Sequence, residues 1–211
     1  FDKNALNEYV RLLEEAKKLG FVYLDTGAMY RAVSVGVLRS GIDPADNKSV
    51  AEAVRNMSVR FEGSRVFLND EDVTQAFRED AANKAVTPVS ANPDVRSLLV
   101  DKQRAYAADH DVVMEGRDIG TVVFPDADHK FYLVADPDVR ARRRLKESPD
   151  CSSLEKVKTD LLRRDMHDAA RAHSPLKKAE DAIEIDTSAL TFDEQVKEII
   201  SYIKEPKNGG K

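Results

Sequence analysis

The sequence predicts an α/β fold in which helices flank a parallel sheet. Short apolar runs rich in β-branched and aromatic residues alternate with longer amphipathic segments along most of the 211 residues. Hydrophobic residues make up 42% of the chain, which favours one domain of good size with a buried core. Two short β-rich runs interrupt the alternation near residues 57–68 and predict a small insertion.

Four segments predict buried strands because each is a short run of apolar β-formers. They are residues 21–24, 112–114, 131–134 and, with a weaker pattern, 183–185. Within the insertion, residues 59–61 and 66–68 flank Gly63-Ser64, a pair typical of a turn. The insertion is therefore predicted to be a hairpin.

Helices are predicted between the strands from apolar residues at intervals of three and four. In residues 5–19 this spacing ends at Gly20, a helix stop. After 21–24, Asp25-Thr26-Gly27 supplies helix-capping residues, and a helix follows to about residue 38. The remaining predicted helices span residues 71–85, 93–108, 137–147, 154–171 and 192–204.

Composition excludes several classes of protein. Cys151 is the single cysteine, so no intramolecular disulfide forms, and the four histidines have no zinc-ligand spacing. We expect no membrane partner, because no apolar run approaches the ~20 residues of a membrane span. The net charge of −5 argues against nucleic acid as a partner, although arginine clusters leave that alternative open. A lone thiol and no recognisable secretory signal favour the cytoplasm.

Arginines beside turns and helix ends indicate a phosphate site, because guanidinium groups bind phosphate in bidentate fashion and stay charged. Two such segments directly follow predicted strands: residues 25–31 and residues 115–121. Ligands bind at the carboxyl ends of the strands in open α/β sheets. The alternative for residues 25–31 is a structural role, with Thr26 as a plain helix cap and Tyr30 packed in the core. For residues 115–121 the alternative is a turn with a local ion pair.

A third segment places Arg164, Asp168 and Arg171 on one helix face, at positions i, i+4 and i+7. A carboxylate between two cations suits a ribose hydroxyl flanked by phosphate, while a surface salt-bridge ladder is the alternative. The same choice applies to the run of Arg140, Arg142, Arg143 and Arg144, whose side chains point in different directions from a helix.

Together these segments resemble bacterial cytidylate kinases, in the nucleoside monophosphate kinase family. The resemblance runs from about residue 19 to residue 203 and is carried by residues 24–31, 66–74, 116–125 and 185–188. It implies a P-loop-kinase-like core of five parallel strands. It also implies an inserted monophosphate-binding subdomain at about 57–108 and a helical lid at about 144–171.

The resemblance also implies roles for individual residues. Thr87, Arg96 and Asp118 are similar to the groups that read the cytosine edge, with Thr26 and Tyr30 lining the same pocket. Arg164 and Asp168 are similar to the pair that engages the ribose. Arg31, Arg117 and Arg171 are similar to the residues that hold the acceptor phosphate, and Arg117 and Arg171 are the expected catalytic groups.

The implied reaction moves the γ-phosphoryl group of ATP to CMP or dCMP, with Mg²⁺ as the cofactor. Phosphoryl transfer needs positioning and charge neutralisation rather than a covalent nucleophile, which agrees with the many arginines. We expect the protein to act as a monomer.

One feature of the family is missing from the sequence. No segment of the 211 residues matches the Walker A pattern G-x-x-x-x-G-K-[ST], whose amides and lysine hold the donor phosphates. Glu8 and Tyr9 stand where the lysine and the hydroxyl residue are expected. Two explanations stay open: the sequence departs from the natural enzyme at its start, or the chain binds CMP and is catalytically impaired or inactive. The residues that bind ATP therefore stay unassigned.

Overall fold

The structure is a computed structural model that describes residues 16, 20–147 and 153–204. The predicted helix at 5–19 lies outside the described residues, apart from Ala16. In chain order the elements are β1 (Val22–Asp25), α1 (Thr26–Arg39), α2 (Asn47–Arg55), β2 (Val59–Glu62), β3 (Arg65–Leu68), β4 (Glu71–Asp72), a 3₁₀ helix (Ala76–Arg78), α3 (Asp80–Ala91), α4 (Pro93–Ala107), β5 (Val112–Glu115), a π-helical turn (Ile119–Val123), β6 (Phe131–Val134), α5 (Pro137–Glu147), α6 (Leu154–Ala169), β7 (Ile183–Asp186) and α7 (Phe192–Lys204).

Parallel pairing confirms the predicted fold class. Strand β1 pairs with β5, with Val22 opposite Val112 and Asp25 opposite Glu115. Strand β6 pairs with β7 in the same parallel sense, with Phe131 opposite Ile183. Parallel neighbours require crossover connections, and helices supply them in both pairs.

A cavity of about 2050 Å³ lies between the two parallel pairs and is lined by residues of both β5 and β6. Among the described residues, each of these strands has one hydrogen-bonded neighbour. The resemblance implies five parallel strands, of which the described residues form four. The fifth stays a prediction.

The insertion is the predicted hairpin, extended by a third strand. Strands β2 and β3 are antiparallel, with Val59 opposite Leu68, and Gly63 between them has a φ of +58°, which suits glycine. The helix predicted over 71–85 is wrong in its first part, because β4 pairs with β3 and α3 begins only at Asp80. The Thr74 hydroxyl accepts the Val66 N–H at 2.9 Å, so this stretch follows β3 instead of coiling.

The hydrophobic core lies on one side of the cavity. Its main cluster is drawn from residues between Leu24 and Leu99, in β1, β3, helices α1 to α4, the 3₁₀ helix and the connections at Met57 and Val73. In the described chain beyond residue 130, the buried apolar side chains are Ala141, Val157 and Ile185. In the described parts of the chain, the helices are too short or too polar to cross a membrane.

Candidate active site

The carboxyl ends of β1 and β5 lie side by side at the cavity and place two of the predicted segments together. Asp25 ends β1 and stands opposite Glu115, which ends β5. The Thr26 hydroxyl, buried in the first turn of α1, donates to the Glu115 carbonyl oxygen at 2.8 Å. This bond ties the two strand ends together.

Asp25 caps α1 and also orients an arginine. Its Oδ1 accepts the Ala28 N–H at 2.9 Å, and its Oδ2 accepts from Nη2 of Arg31 at 3.1 Å. The Arg31 guanidinium also lies 5.4 Å from the centre of the Phe77 ring, a cation–π distance. Arg31 is therefore held at the cavity by a carboxylate and an aromatic ring.

Gly116, directly after β5, is required by close packing. A Cβ atom at this position would lie 2.5 Å from Oγ1 of Thr26 and 2.8 Å from Cδ1 of Ile119. Contacts this short do not occur between real side chains, so glycine alone allows the two strand ends to approach.

A buried ion pair lies beside these strand ends. Arg96 and Asp118 are each 5% exposed, and Nη2 of Arg96 donates to Oδ2 of Asp118 at 2.5 Å. Nη1 of Arg96 donates to the Ser90 carbonyl oxygen at 3.0 Å, and the guanidinium lies 5.4 Å from the Tyr30 ring centre. Burial raises the pKa of Tyr30 to about 12, so its hydroxyl stays protonated at neutral pH.

The π-helical turn carries Asp118 at its start and is held at its end by Arg104. The Asp118 carbonyl oxygen accepts the N–H of Val122 at 2.8 Å. Arg104, on α4, donates from Nε to the Val123 carbonyl oxygen at 3.0 Å and from Nη2 to that of Val122 at 2.7 Å. Because Arg96 is on the same helix, α4 fixes both ends of the turn.

Asp168, in the last turn of α6, joins three arginines. It is 2% exposed, and its Oδ1 lies 2.6 Å from Nη2 of Arg171. Its Oδ2 lies 3.3 Å from Nε of Arg117 and 3.9 Å from Nε of Arg164. The three side chains meet as predicted, but they do not share one helix face, because the helix predicted over 154–171 ends at Ala169 and Arg171 lies beyond it. Arg117, from the segment after β5, joins them.

The arginine cluster carries more positive charge than Asp168 neutralises. Desolvation, with repulsion from Arg117, lowers the pKa of Arg164, and burial lowers that of Arg171. The Nε atoms of Arg96 and Arg171 are buried without a hydrogen-bond partner among the described residues. An anionic ligand with several acceptor oxygens would reduce the repulsion between the arginines and would accept hydrogen bonds from the unpaired Nε atoms.

The family model for cytidylate kinases matches residues 12–205 of this chain. The chain belongs to the cytidylate kinase family. It is 44% identical over 197 residues to a cytidylate kinase of Caldanaerobacter subterraneus subsp. tengcongensis. This alignment covers 92% of this chain and 88% of the relative. A cytidylate kinase of Clostridioides difficile is 43% identical, over 89% of this chain and 88% of the relative. A cytidylate kinase of Chlorobaculum tepidum is 40% identical, over 90% of this chain and 85% of the relative.

Most of the residues singled out by the resemblance to this family line one cavity. They are Thr26, Tyr30, Arg31, Arg96, Arg117, Asp118, Arg164, Asp168 and Arg171. Thr87 differs, because it is exposed on α3 and lies outside the cavity lining. Its contact with the cytosine edge stays a prediction.

The run of arginines on α5 includes two structural residues. Arg140 forms a bidentate pair with Asp165 of α6, at 2.5 and 3.1 Å. Arg143 donates to the carbonyl oxygens of Thr187 and Leu190 at 2.6 and 3.1 Å. These two arginines therefore join α5 to its neighbours.

Sequence reasoning missed two residues that contact this site, Ser90 and Arg104. The Ser90 hydroxyl accepts from Arg171, which is 81 residues away. Arg104 donates to a backbone oxygen of the π-helical turn, 18 residues away. No local motif marks either residue. Glu8 and Tyr9, which stand at the Walker A positions, lie outside the described residues.

Proposed function

We propose that this member of the cytidylate kinase family transfers the γ-phosphoryl group of ATP to CMP or dCMP, giving ADP and CDP or dCDP. The observation that carries the proposal is that Arg31, Arg117 and Arg171, from three distant segments, line one cavity beside the Arg96–Asp118 pair. The names of the relatives support the same acceptor.

The Arg96–Asp118 pair suits cytosine better than uracil. Cytosine presents an amino donor at N4 next to acceptors at N3 and O2. A carboxylate accepts from the amino group, and a guanidinium donates to the neighbouring acceptors. Uracil has an acceptor, O4, in place of the amino group and a donor at N3, so its O4 would face the Asp118 carboxylate. The pair therefore favours CMP over UMP.

The acceptor phosphate is assigned to Arg31, Arg117 and Arg171, of which Arg117 and Arg171 also act on the transferred group. Fixed guanidinium groups stabilise negative charge that spreads over the phosphoryl oxygens during transfer. Asp168 orients two of these arginines and, with Arg164, is assigned to the ribose. No protein nucleophile is needed, because the acceptor oxygen itself attacks the phosphorus.

Mg²⁺ enters the proposal together with ATP. Asp25 and Glu115 present hard oxygen donors at adjacent strand ends, and Mg²⁺ is usually bound by one or two carboxylates plus substrate phosphates. When bound, the ion would neutralise charge on the donor phosphates. The two carboxylates already repel each other, which contributes to the raised pKa of Glu115.

The subdomain boundaries also stay proposals. We assign residues 57–108 to monophosphate binding, because α3 and α4 in this range carry Ser90 and Arg96. We assign residues 144–171 to a lid, because α6 carries Arg164 and Asp168 to the cavity. Action as a monomer in the cytoplasm stays a prediction.

A coupled ADP-release assay with CMP, dCMP, UMP and AMP tests the reaction. We expect turnover of CMP and dCMP, with kcat/KM lower for UMP and AMP. Calorimetry with CMP is run on the same chain. Absence of both binding and turnover would overturn the proposal, whereas binding without turnover would favour a non-catalytic CMP-binding protein.

Asp118→Asn tests the base assignment without changing side-chain shape. An amide can donate to O4 of uracil, so we expect the ratio of kcat/KM for CMP over UMP to fall about tenfold or more. Asp94→Asn, an exposed acid on the same helix as Arg96, is the control and should leave the ratio unchanged. An unchanged ratio in Asp118→Asn would show that another residue reads the base.

A further inference from the structure

Ser90 lies in the last turn of α3 and contacts arginines from both sides of the candidate site. It is 9% exposed, and its carbonyl oxygen accepts from Nη1 of Arg96 at 3.0 Å. Its hydroxyl oxygen accepts from Nη2 of Arg171 at 3.1 Å. One residue therefore bonds a guanidinium assigned to the base and another assigned to the phosphate.

We propose that Ser90 is a positioning residue that holds Arg171 at a fixed distance from the Arg96–Asp118 pair, so that base and phosphate are engaged together. The inference rests on the proposed function. It assigns to Ser90 an effect on the phosphate through Arg171, with no contact to the substrate required.

Arg171 needs such a support because it lies beyond the end of α6, which ends at Ala169. Asp168 holds its guanidinium to that helix at 2.6 Å. The Ser90 bond spans 81 positions of sequence and holds the same guanidinium to α3. Without it, Asp168 would be the one described residue that bonds the Arg171 guanidinium.

The direction of the Ser90 hydroxyl suits this task. Its hydrogen is donated to the Thr87 carbonyl oxygen at 3.3 Å, so its lone pairs remain for Arg171. A serine oxygen also carries no net charge. A carboxylate here would bind Arg171 more strongly but would cancel the positive charge that attracts a phosphate.

The competing explanation is that the Ser90 hydroxyl only completes the end of α3 through its bond to Thr87. Ser90→Ala distinguishes the two explanations, because it removes the hydroxyl and leaves the carbonyl oxygen to which Arg96 donates. Ser34→Ala is a matched control, since Ser34 is fully buried on α1 and its hydroxyl donates to the carbonyl four residues earlier. Thermal melting of both variants reports their folding.

Binding of CMP and of cytidine is measured by calorimetry or by competition. Loss of one hydrogen bond to the phosphate-binding guanidinium should weaken CMP binding by Ser90→Ala about threefold to tenfold. Cytidine has no phosphate, so its affinity should stay unchanged, as should both affinities in Ser34→Ala. Unchanged CMP affinity in Ser90→Ala would overturn the inference, and so would an equal loss for CMP and cytidine.

A double-mutant cycle with Arg171→Ala tests whether Ser90 acts through that arginine. We expect Ser90→Ala to have no further effect on CMP affinity in the Arg171→Ala background. An undiminished effect there would overturn the inference. Failure of the parent chain to bind CMP would overturn the proposed function with it, whereas the other outcomes bear on Ser90 alone.

Discussion

Leu24 in β1 has no exposed surface, whereas Leu133 in β6 is 50% exposed, although both lie in parallel strands beside the same cavity. The difference holds for the two sides of the cavity in general. The N-terminal half, residues 22–123, contains the main hydrophobic cluster. The C-terminal half, residues 130–204, contributes few buried apolar side chains among those described.

The comparison shows how the site is held together. Among the described residues, those of the C-terminal half that line the site do not rest on a large core of their own. They are positioned by bonds that cross to the N-terminal half, from Asp168 to Arg117 and from Arg171 to Ser90. Polar cross-links therefore take the place of hydrophobic packing where the two halves meet.

The largest expected effect comes from breaking the central cross-link with Asp168→Asn. Breaking a buried ion pair by removing one partner costs about 3 kcal/mol or more in the free energy of unfolding. Three arginines also lose their orientation, so kcat/KM for CMP should fall together with stability. Urea denaturation and the coupled assay measure the two effects.

Asp160→Asn is the control for this change, because Asp160 is an exposed acid on the same helix that pairs with Arg163. Asp160→Asn should lower the free energy of unfolding by less than about 0.5 kcal/mol. Equal losses in the two variants would contradict a central role for Asp168.

Truncation of the two leucines sharpens the packing difference directly. Leu24→Ala should lower the free energy of unfolding by about 3 kcal/mol, because it leaves a cavity in a packed core. Leu133→Ala should cost less than about 0.5 kcal/mol, since half of that side chain already contacts solvent. A cost for Leu133→Ala that matches Leu24→Ala would show that β6 is packed as tightly as β1.

Gly116→Ala tests the close approach of β1 and β5. The added Cβ atom would overlap Oγ1 of Thr26, and overpacking of this kind costs about 1–3 kcal/mol. CMP affinity should fall as well, because the Thr26 bond to Glu115 is displaced. In Gly63→Ala the new Cβ atom meets open space, so only stability should change. Parent-like CMP binding by Gly116→Ala would refute the packing argument.

The smallest expected effect is a pH dependence at Glu115. Protein atoms around its carboxyl limit hydration, and with the charge of Asp25 they raise its pKa from 4.5 to about 7. The unfolded chain then loses this proton at lower pH than the folded chain, so stability falls as pH rises from about 4.5 to 7.

Glu115→Gln keeps an uncharged group at this position at every pH. The free energy of unfolding of this variant should match that of the parent near pH 4. Above pH 7 it should exceed that of the parent by about 1 kcal/mol, after allowance for solvent screening. Urea denaturation across this pH range measures the difference. A difference that did not grow with pH would contradict the raised pKa.

Much of the fold was predictable because its signals are local. The parallel strands are short apolar runs, and Asp25 marks the start of α1 as a capping residue. Strand β4 was missed because Glu71 and Asp72 are poor β-formers that pair only through contact with β3. The π-helical turn was missed because Gly-Thr-Val-Val gives no periodic signal and the turn is fixed by Arg104 from α4.

The same distinction applies to the site. Helical spacing predicted that Arg164, Asp168 and Arg171 lie together, and their side chains do meet, although α6 ends before Arg171. Helical spacing could not indicate Ser90 or Arg104, because their partners are distant in sequence and are partly backbone oxygens. Residues that touch only other protein groups leave little trace in a sequence.

The one-sided core also bears on the order in which the chain acquires protection from solvent. All of its members lie between Leu24 and Leu99, so they can assemble before the ribosome has made β6 and β7. Amide hydrogens of α1 and α4 should then exchange with deuterium most slowly, and those of α5 and α6 faster. The molecule would open from its C-terminal half while its N-terminal half stays folded.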